Sequence, residues 1–261
     1  MRTALTIAGS DSGGGAGIQA DLKTFAAHRV YGTSALAAVT AQNTRGVTSW
    51  EPLSPALVRA QIDAVAADIG ADAVKLGMLA NAQIVCAVAA AIKAWRFSNV
   101  VLDPVMIAKG GHRLLEQDAV EAIRTSLLPL ADIVTPNVPE AEVLAGMAVG
   151  TREDMREAAE RILRMGPRVV LIKGGHLDGP DSIDLAVTTV DSFELRGRRI
   201  ITTNTHGTGC TLASAIAANL ALGLDTREAL SQARAYVEGA ILHAPRIGAG
   251  HGPLNHFWRL Y

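Results

Sequence analysis

The chain has 261 residues, 24 of them basic and 25 acidic, for a formal net charge of −1. That balance leaves no basic excess for nucleic acid or an anionic membrane surface. Hydrophobic residues make up 49%, and the two cysteines, Cys86 and Cys210, form no CxxC, which argues against a disulfide framework or a cysteine-rich zinc site.

Thr3 to Ala8 reads as a first strand that stops at Gly9, so the N-terminal apolar run is a strand and not a signal peptide. Ser10 to Gly17 carries five glycines with Gly9, and a helix follows over Ile18 to His28. The loop is neither a Walker A nor G-x-G-x-x-G, because Ile18 stands where the third glycine would be. Gly32 to Val39 is a second β-prone run ending at Gln42-Asn43, and 47–53 suits an edge hairpin or flap. Ser54 and Pro55 are an N-cap and N1 pair opening a helix through Asp68.

Strands are then predicted over Ala73 to Gly77, Asn99 to Asp103, Ala131 to Thr135 and Arg168 to Lys173. Helices alternate with them over Asn81 to Trp95, Glu116 to Leu127, Pro139 to Leu144 and Thr151 to Met165. The longest apolar helical run, Ile84 to Ile92, is too short to cross a bilayer. The pattern changes at Ser182 to Arg198, which reads as a β-hairpin around Val190-Asp191. Two helices end the chain, over Cys210 to Leu222 and Thr226 to Leu242. No linker, repeat or charge block interrupts residues 1–261, so one domain is expected, cytoplasmic, with a mainly parallel sheet between helical layers and an antiparallel edge.

The chain is organised around Asn204-Thr205-His206-Gly207-Thr208-Gly209-Cys210. A β-prone stretch, Arg199 to Thr203, precedes it, and helix formers follow. Gly207 and Gly209 permit a tight turn into a helix N-terminus, whose unpaired amides and macrodipole favour a phosphate or an oxyanion. Cys210 stands where the helix begins, a position that lowers a thiol pKa. Polar or glycine clusters also fall at the ends of predicted parallel strands: the first glycine loop, Gln42-Asn43, Met78, Asp103, Asn137 to Glu140, and Lys173-Gly174-Gly175. In a parallel sheet these ends share one edge and converge.

The ordered set is specific. Ala8-Gly9-Ser10-Asp11 with Gly14 to Thr24, Ala41 to Gly46, Lys75-Leu76-Gly77-Met78-Leu79, Val101 to Met106, Thr135 to Glu140, Lys173-Gly174-Gly175-His176 and Asn204 to Cys210 resemble the hydroxymethylpyrimidine/phosphomethylpyrimidine kinases of thiamine biosynthesis over essentially the whole chain. The resemblance implies a ribokinase-like three-layer α/β/α sandwich and Mg²⁺-dependent phosphoryl transfer from ATP, twice on one pyrimidine. It places Gly9, Asp21, Gln42, Met78 and Val105 around the pyrimidine. Asp103 and Glu140 would hold Mg²⁺; Asn137, Lys173, Thr205 and Thr208 would lie near the ATP phosphates. Gly207, Gly209 and Cys210 would act on the transferring group, Cys210 as base where sugar kinases of the superfamily carry Asp. A homodimer is an expectation resting on the hairpin and flap as pairing edges.

Two departures stand out: Ser12-Gly13 replaces Pro-Ser, and Gly110-Gly111-His112 replaces Ser-Gly-Asp in a loop expected to cover the site. His112, His176 and His206 lack metal-ligand spacing and read as loop or structural histidines. The chain ends at Tyr261, so no fused thiamine-phosphate synthase domain is expected. Competing readings are a pyridoxal or pyridoxine kinase and a non-catalytic pyrimidine or nucleotide sensor on the same fold.

Overall fold

The structure, a computed structural model, describes residues 1–106, 117–176 and 181–260. The strands among them are β1 (Thr3–Ala8), β2 (Tyr31–Leu36), β3 (Ala38–Asn43), β4 (Gly46–Pro52), β5 (Ala73–Leu76), β6 (Val100–Leu102), β7 (Ile133–Val134), β8 (Val169–Ile172), β9 (Asp181–Thr188) and β10 (Ser192–Arg198). The helices are α1 (Gly17–Ala27), α2 (Pro55–Asp68), α3 (Ala82–Trp95), α4 (Gln117–Ala122), α5 (Val138–Ala145), α6 (Arg152–Leu163), α7 (Thr208–Ala221) and α8 (Thr226–Leu242).

Eight strands make one sheet in the order β10-β9-β8-β7-β6-β5-β1-β2. From β2 to β8 every pairing is parallel, and β9 and β10 close the edge antiparallel. Parallel strands buried on both faces read as near-continuous apolar runs; β6, β7 and β8 do, while β1 and β5 carry the buried polar residues Thr6 and Lys75. Leu5, Ile7, Val74, Leu76 and Leu102 pack into a core with α2, α3, α5 and α6. Ala4, Ala73, Val101 and Leu171 face the opposite core with α1, α7 and α8. That two-residue alternation makes the three layers of an α/β/α sandwich.

Local signals set the helix starts. The Ser54 hydroxyl accepts the Leu57 N–H with Pro55 behind it, and the Asn81 side chain accepts the Ile84 N–H. The chain leaves β1 for β2 on one side and later returns to β5 on the other. The sheet therefore reverses its winding between β1 and β5, where a crevice opens beyond the strand ends.

Three expectations change. The run from Gly32 to Val39 is not one strand. It breaks at Ala37, and β3 and β4 form a separate two-stranded sheet, so Gln42 stands on a flap and not at the end of a main-sheet strand. The split follows from the Ala37 backbone, which bonds to Ala8 on one side and accepts Leu53 on the other, turning the chain off the sheet. Arg199 to Thr203 forms no strand: β10 is the last strand, and Ile201 is almost fully exposed. The predicted helix after Glu116 is α4, ending in a wider π turn at Ile123–Leu127 and a short 3₁₀ turn. The Gly110-Gly111-His112 departure lies outside the described residues.

Candidate active site

A cavity of about 1000 Å³ runs along the carboxyl edge of the parallel strands. It has a wall of loops on one side and the N-terminus of α7 on the other.

At the β1/β5 switch point the Gly9 N–H donates to the Met78 carbonyl, 3.1 Å away. A side chain on Gly9 would press into the Met78 methyl group, so the two strands' ends meet here only through glycine. Gly9, Met78, Val105, Met106, Thr40 and Gln42 line this end of the cavity. Gln42 enters from the flap.

Asp21 does not line the cavity. It is fully buried on α1, its oxygens taken by the Thr6 hydroxyl at 2.6 Å, the Ser214 hydroxyl at 2.6 Å and the Lys75 ammonium at 2.9 Å. The four residues come from β1, β5, α1 and α7 and lock the helical layer to the switch point. Burial is the largest influence and would lower the Lys75 pKa, but Asp21, through its charge and hydrogen bond, together with Cys210 and Asp103 raises it. Sequence reasoning gave Lys75 no role. The signal was present: a lysine inside Ala73-Val74-Lys75-Leu76, otherwise apolar, demands a buried counter-charge.

Further along the edge, β6 and β8 end in an ion pair: Lys173 Nζ lies 2.9 Å from Asp103 Oδ1. Thr135 Oγ1 reaches the same oxygen at 3.4 Å. Lys173 also stands 3.8 Å from Glu140 Oε2. Glu140 is held by a capping box, in which its carboxylate accepts the Asn137 N–H at 2.8 Å and its own N–H donates to Asn137 Oδ1 at 2.9 Å. The Asn137 amide is thus spent in part on capping α5. Burial, with Asp103 nearby, overrides the attraction of Lys173 and pushes the Glu140 carboxyl up to about 7. Two carboxylates thus face one ammonium at this part of the cavity. Among the described residues no cluster of three or more His, Cys, Asp or Glu side chains could hold a metal alone. A pair of carboxylates beside a helix N-terminus fits the way Mg²⁺ is commonly bound, through few protein ligands with phosphate and water completing the set.

Gly207 caps α7 at φ +81°, with Thr208 and Gly209 opening the helix. A Cβ on Gly207 would overlap the Gly15 carbonyl, so the turn and the first glycine loop touch backbone to backbone. A Cβ on Gly209 would lie 3.4 Å from both Asp103 Oδ2 and Lys173 Nζ, which sets the open amides of α7 directly against the charged pair. Thr205 and Thr208 line the same end of the cavity, and Leu212, Val237 and Ile241 give its far wall.

Cys210 is partly exposed at the third position of α7. Its thiol pKa is not lowered as its position suggests. Burial pushes it up to about 11, against the lowering pull of Lys75 and of a hydrogen bond from the Gly17 N–H. The helix end and one buried lysine do not repay the lost hydration of a thiolate, and Asp21 and Asp103 oppose it.

A parallel sandwich that gathers these groups at one carboxyl edge is the ribokinase-like architecture, and its chemistry is phosphotransfer. The profile of the phosphomethylpyrimidine kinase family matches residues 11–255. The hydroxymethylpyrimidine/phosphomethylpyrimidine kinase of Rhizobium meliloti is 52% identical over 260 residues, 98% of this chain and 97% of that protein. The thiamine biosynthesis bifunctional protein ThiED of Geobacter sulfurreducens is 52% identical over 252 residues, 97% of this chain; the match spans 51% of that longer protein. Among solved structures, the ADP complex of Bacillus subtilis pyridoxal kinase superposes with a TM-score of 0.92 at 39% identity, covering 100% of both chains. The chain belongs to the phosphomethylpyrimidine kinase family.

Proposed function

We propose that the protein transfers the terminal phosphoryl group of ATP to the hydroxymethyl group of 4-amino-5-hydroxymethyl-2-methylpyrimidine, and then phosphorylates the resulting monophosphate. The single observation that carries this is the arrangement of one continuous cavity. Its switch-point end is lined by Gly9, Met78, Val105 and Gln42, and its other end by Lys173 and the α7 amides. Gln42 both donates and accepts, as an aminopyrimidine edge requires, and Met78 offers a polarizable face to the ring. Asn137, Lys173, Thr205 and Thr208 stand on the phosphate side. The amides at Gly207 to Cys210 meet the charge that develops on the transferring group. Asp103 and Glu140 would hold Mg²⁺, which when bound neutralises phosphate charge.

Cys210 receives the hydroxyl proton. A thiol with a pKa of about 11 is nearly all protonated at neutral pH in the ligand-free chain. Phosphoryl transfer is loose, and the attacking hydroxyl surrenders its proton late. A base of high pKa suits a late transfer. The thiol must lose its own proton to solvent before transfer; the Gly17 N–H and the Lys75 charge favour that thiolate, which then takes the hydroxyl proton and returns to the thiol.

ADP release measured with the pyrimidine alcohol, its monophosphate and pyridoxal tests the reading. Turnover of both pyrimidines is expected, with kcat/KM for the alcohol above that for pyridoxal. No turnover of the monophosphate removes the second step. Greater efficiency with pyridoxal makes the protein a B6 kinase, a reading that the pyridoxal kinase likeness keeps in play. Pyrimidine or nucleotide binding with no ATP consumption would favour a non-catalytic sensor.

The Glu140 carboxyl, pushed up to about 7, gives a pH test. Below that pH the group is neutral and a poor cation ligand; above it the carboxylate is formed. Mg²⁺ affinity is therefore expected to weaken as pH falls from 8 to 6, by up to about tenfold for one linked proton per pH unit. Glu140→Gln should bind Mg²⁺ more weakly at pH 8 and lose most of this dependence, while titration of ATP itself persists in both proteins. Equal slopes in the two would remove Glu140 from the cation site.

A further inference from the structure

The two walls of the cavity come from opposite ends of the chain, and a buried hydrogen bond between Asp11 and His206 is among the contacts that join them. Asp11, 1% exposed, sits at the head of the first glycine loop. Its Oδ1 accepts the Gly13 N–H at 2.8 Å. Its Oδ2 accepts the N–H groups of Gly15 at 2.9 Å and Ala16 at 2.8 Å, and meets His206 Nε2 at 2.8 Å. A carboxylate only accepts, so the imidazole turns an N–H toward it. These bonds outweigh burial and hold the Asp11 carboxyl below its ordinary range.

His206 precedes Gly207, the cap of α7, and is itself fixed on its other side: its N–H donates to the Gly252 carbonyl at 3.1 Å. Space around the ring is filled. A Cβ on Gly15 would overlap His206 Cδ2. The flap reaches the same nitrogen, with Gln42 Nε2 at 3.4 Å. That nitrogen's proton is committed to Asp11, so Gln42 can meet it favourably only through its carbonyl oxygen. His206, at the turn into α7, thus meets the first glycine loop and the flap through its ring and the C-terminal segment through its backbone N–H.

We infer that Asp11 and His206 form a positioning latch, which holds the pyrimidine wall at Gly9 to Gly17 in register with the transferring amides at Gly207 to Cys210 and sets the orientation of the Gln42 amide. Neither residue exchanges a proton with substrate. Their effect is on the distance between the hydroxyl and the phosphoryl group, where a displacement of about 1 Å is enough to cost on the order of 10²-fold in rate. The inference rests on the phosphotransfer reading, but its test separates the two, because ATP binding and coupling between the residues are read independently of turnover.

His206→Ala, His206→Gln, Asp11→Asn and the double variant Asp11→Asn/His206→Ala are compared by kcat, by KM for the pyrimidine alcohol and ATP, by ATP dissociation constant and by thermal melting. His206→Ala is expected to lose about 10- to 100-fold in kcat, to raise the pyrimidine KM several-fold through Gln42, and to leave ATP affinity within two-fold. His206→Gln, which still presents an N–H to Asp11, should recover most of the rate. The double variant should be no worse than the poorer single, because both break the same contact. Should Asp11→Asn fail to fold, having lost a charge that holds three amides, the His206→Ala and His206→Gln pair decides. The latch is overturned by a His206→Ala kcat within two-fold of the parent, by equal losses in the Ala and Gln variants, by losses that multiply in the double variant, or by a loss explained by melting at the assay temperature.

Discussion

Cys210→Ala should lower kcat by on the order of 10²–10⁴-fold, the usual worth of a general base, with little change in KM for the pyrimidine. The loss acts on the transfer step, because the side chain stands at the third position of α7 and the amides around it survive the substitution. Cys210→Asp should retain more activity than Ala, since a carboxylate can take the same proton. The thiol pKa of about 11 adds a second signature: iodoacetamide should react slowly at neutral pH and faster as pH rises, not at the enhanced rate of an activated cysteine. ATP and the pyrimidine together should protect. An Ala variant with near-normal kcat would take Cys210 out of the chemistry and leave the work to the amides alone.

Gly207→Ala should be nearly as damaging for a different reason. The residue sits at φ +81°, where a Cβ costs about 1–2 kcal/mol, and that Cβ would overlap the Gly15 carbonyl. The turn must move off the first glycine loop, so a melting-temperature drop and a rate loss on the order of 10²-fold are expected together. Gly209→Ala is the contrast. Its φ is ordinary for a helix, and its Cβ would find Asp103 and Lys173 at 3.4 Å, so the fold survives. What it fills is the space between the α7 amides and the charged pair, where the phosphoryl group is proposed to pass. Gly209→Ala should therefore melt like the parent and still lose transfer. Equal melting of all three proteins with equal activity would refute the steric account of both glycines.

Much of this was legible in the residues. The parallel strands announced themselves as apolar runs ending in polar clusters, and the cap at Ser54 could be read from short-range chemistry, whereas the caps at Asn81 and Asn137 emerge from the structure. What stayed hidden depends on long-range company. Asp21 is expected by resemblance at the pyrimidine pocket; only the fold shows that Thr6, Lys75 and Ser214 take its oxygens. Cys210 reads as an activated thiol, because the helix end is visible in sequence and the desolvation is not. His206 lacks metal-ligand spacing and was set aside as structural, yet its partner Asp11 lies 195 positions earlier, a separation that no local pattern encodes. The flap was expected, but Gln42 was placed on the main sheet because a break at Ala37 depends on where the backbone finds partners, not on side-chain periodicity.

The flap has one more consequence. A two-stranded ribbon is marginal by itself, so β3 and β4 are ordered by what they rest on. Their tip is tied to the end of the chain: the His251 N–H donates to the Thr44 carbonyl at 2.7 Å, and the Gly250 N–H to the Thr44 hydroxyl at 3.3 Å. Opening the ribbon therefore breaks bonds to the last dozen residues as well, and the two segments are expected to exchange with solvent as one cooperative unit. A pyrimidine bound against Gln42, as proposed, should therefore protect the ribbon and the C-terminal residues from hydrogen exchange together.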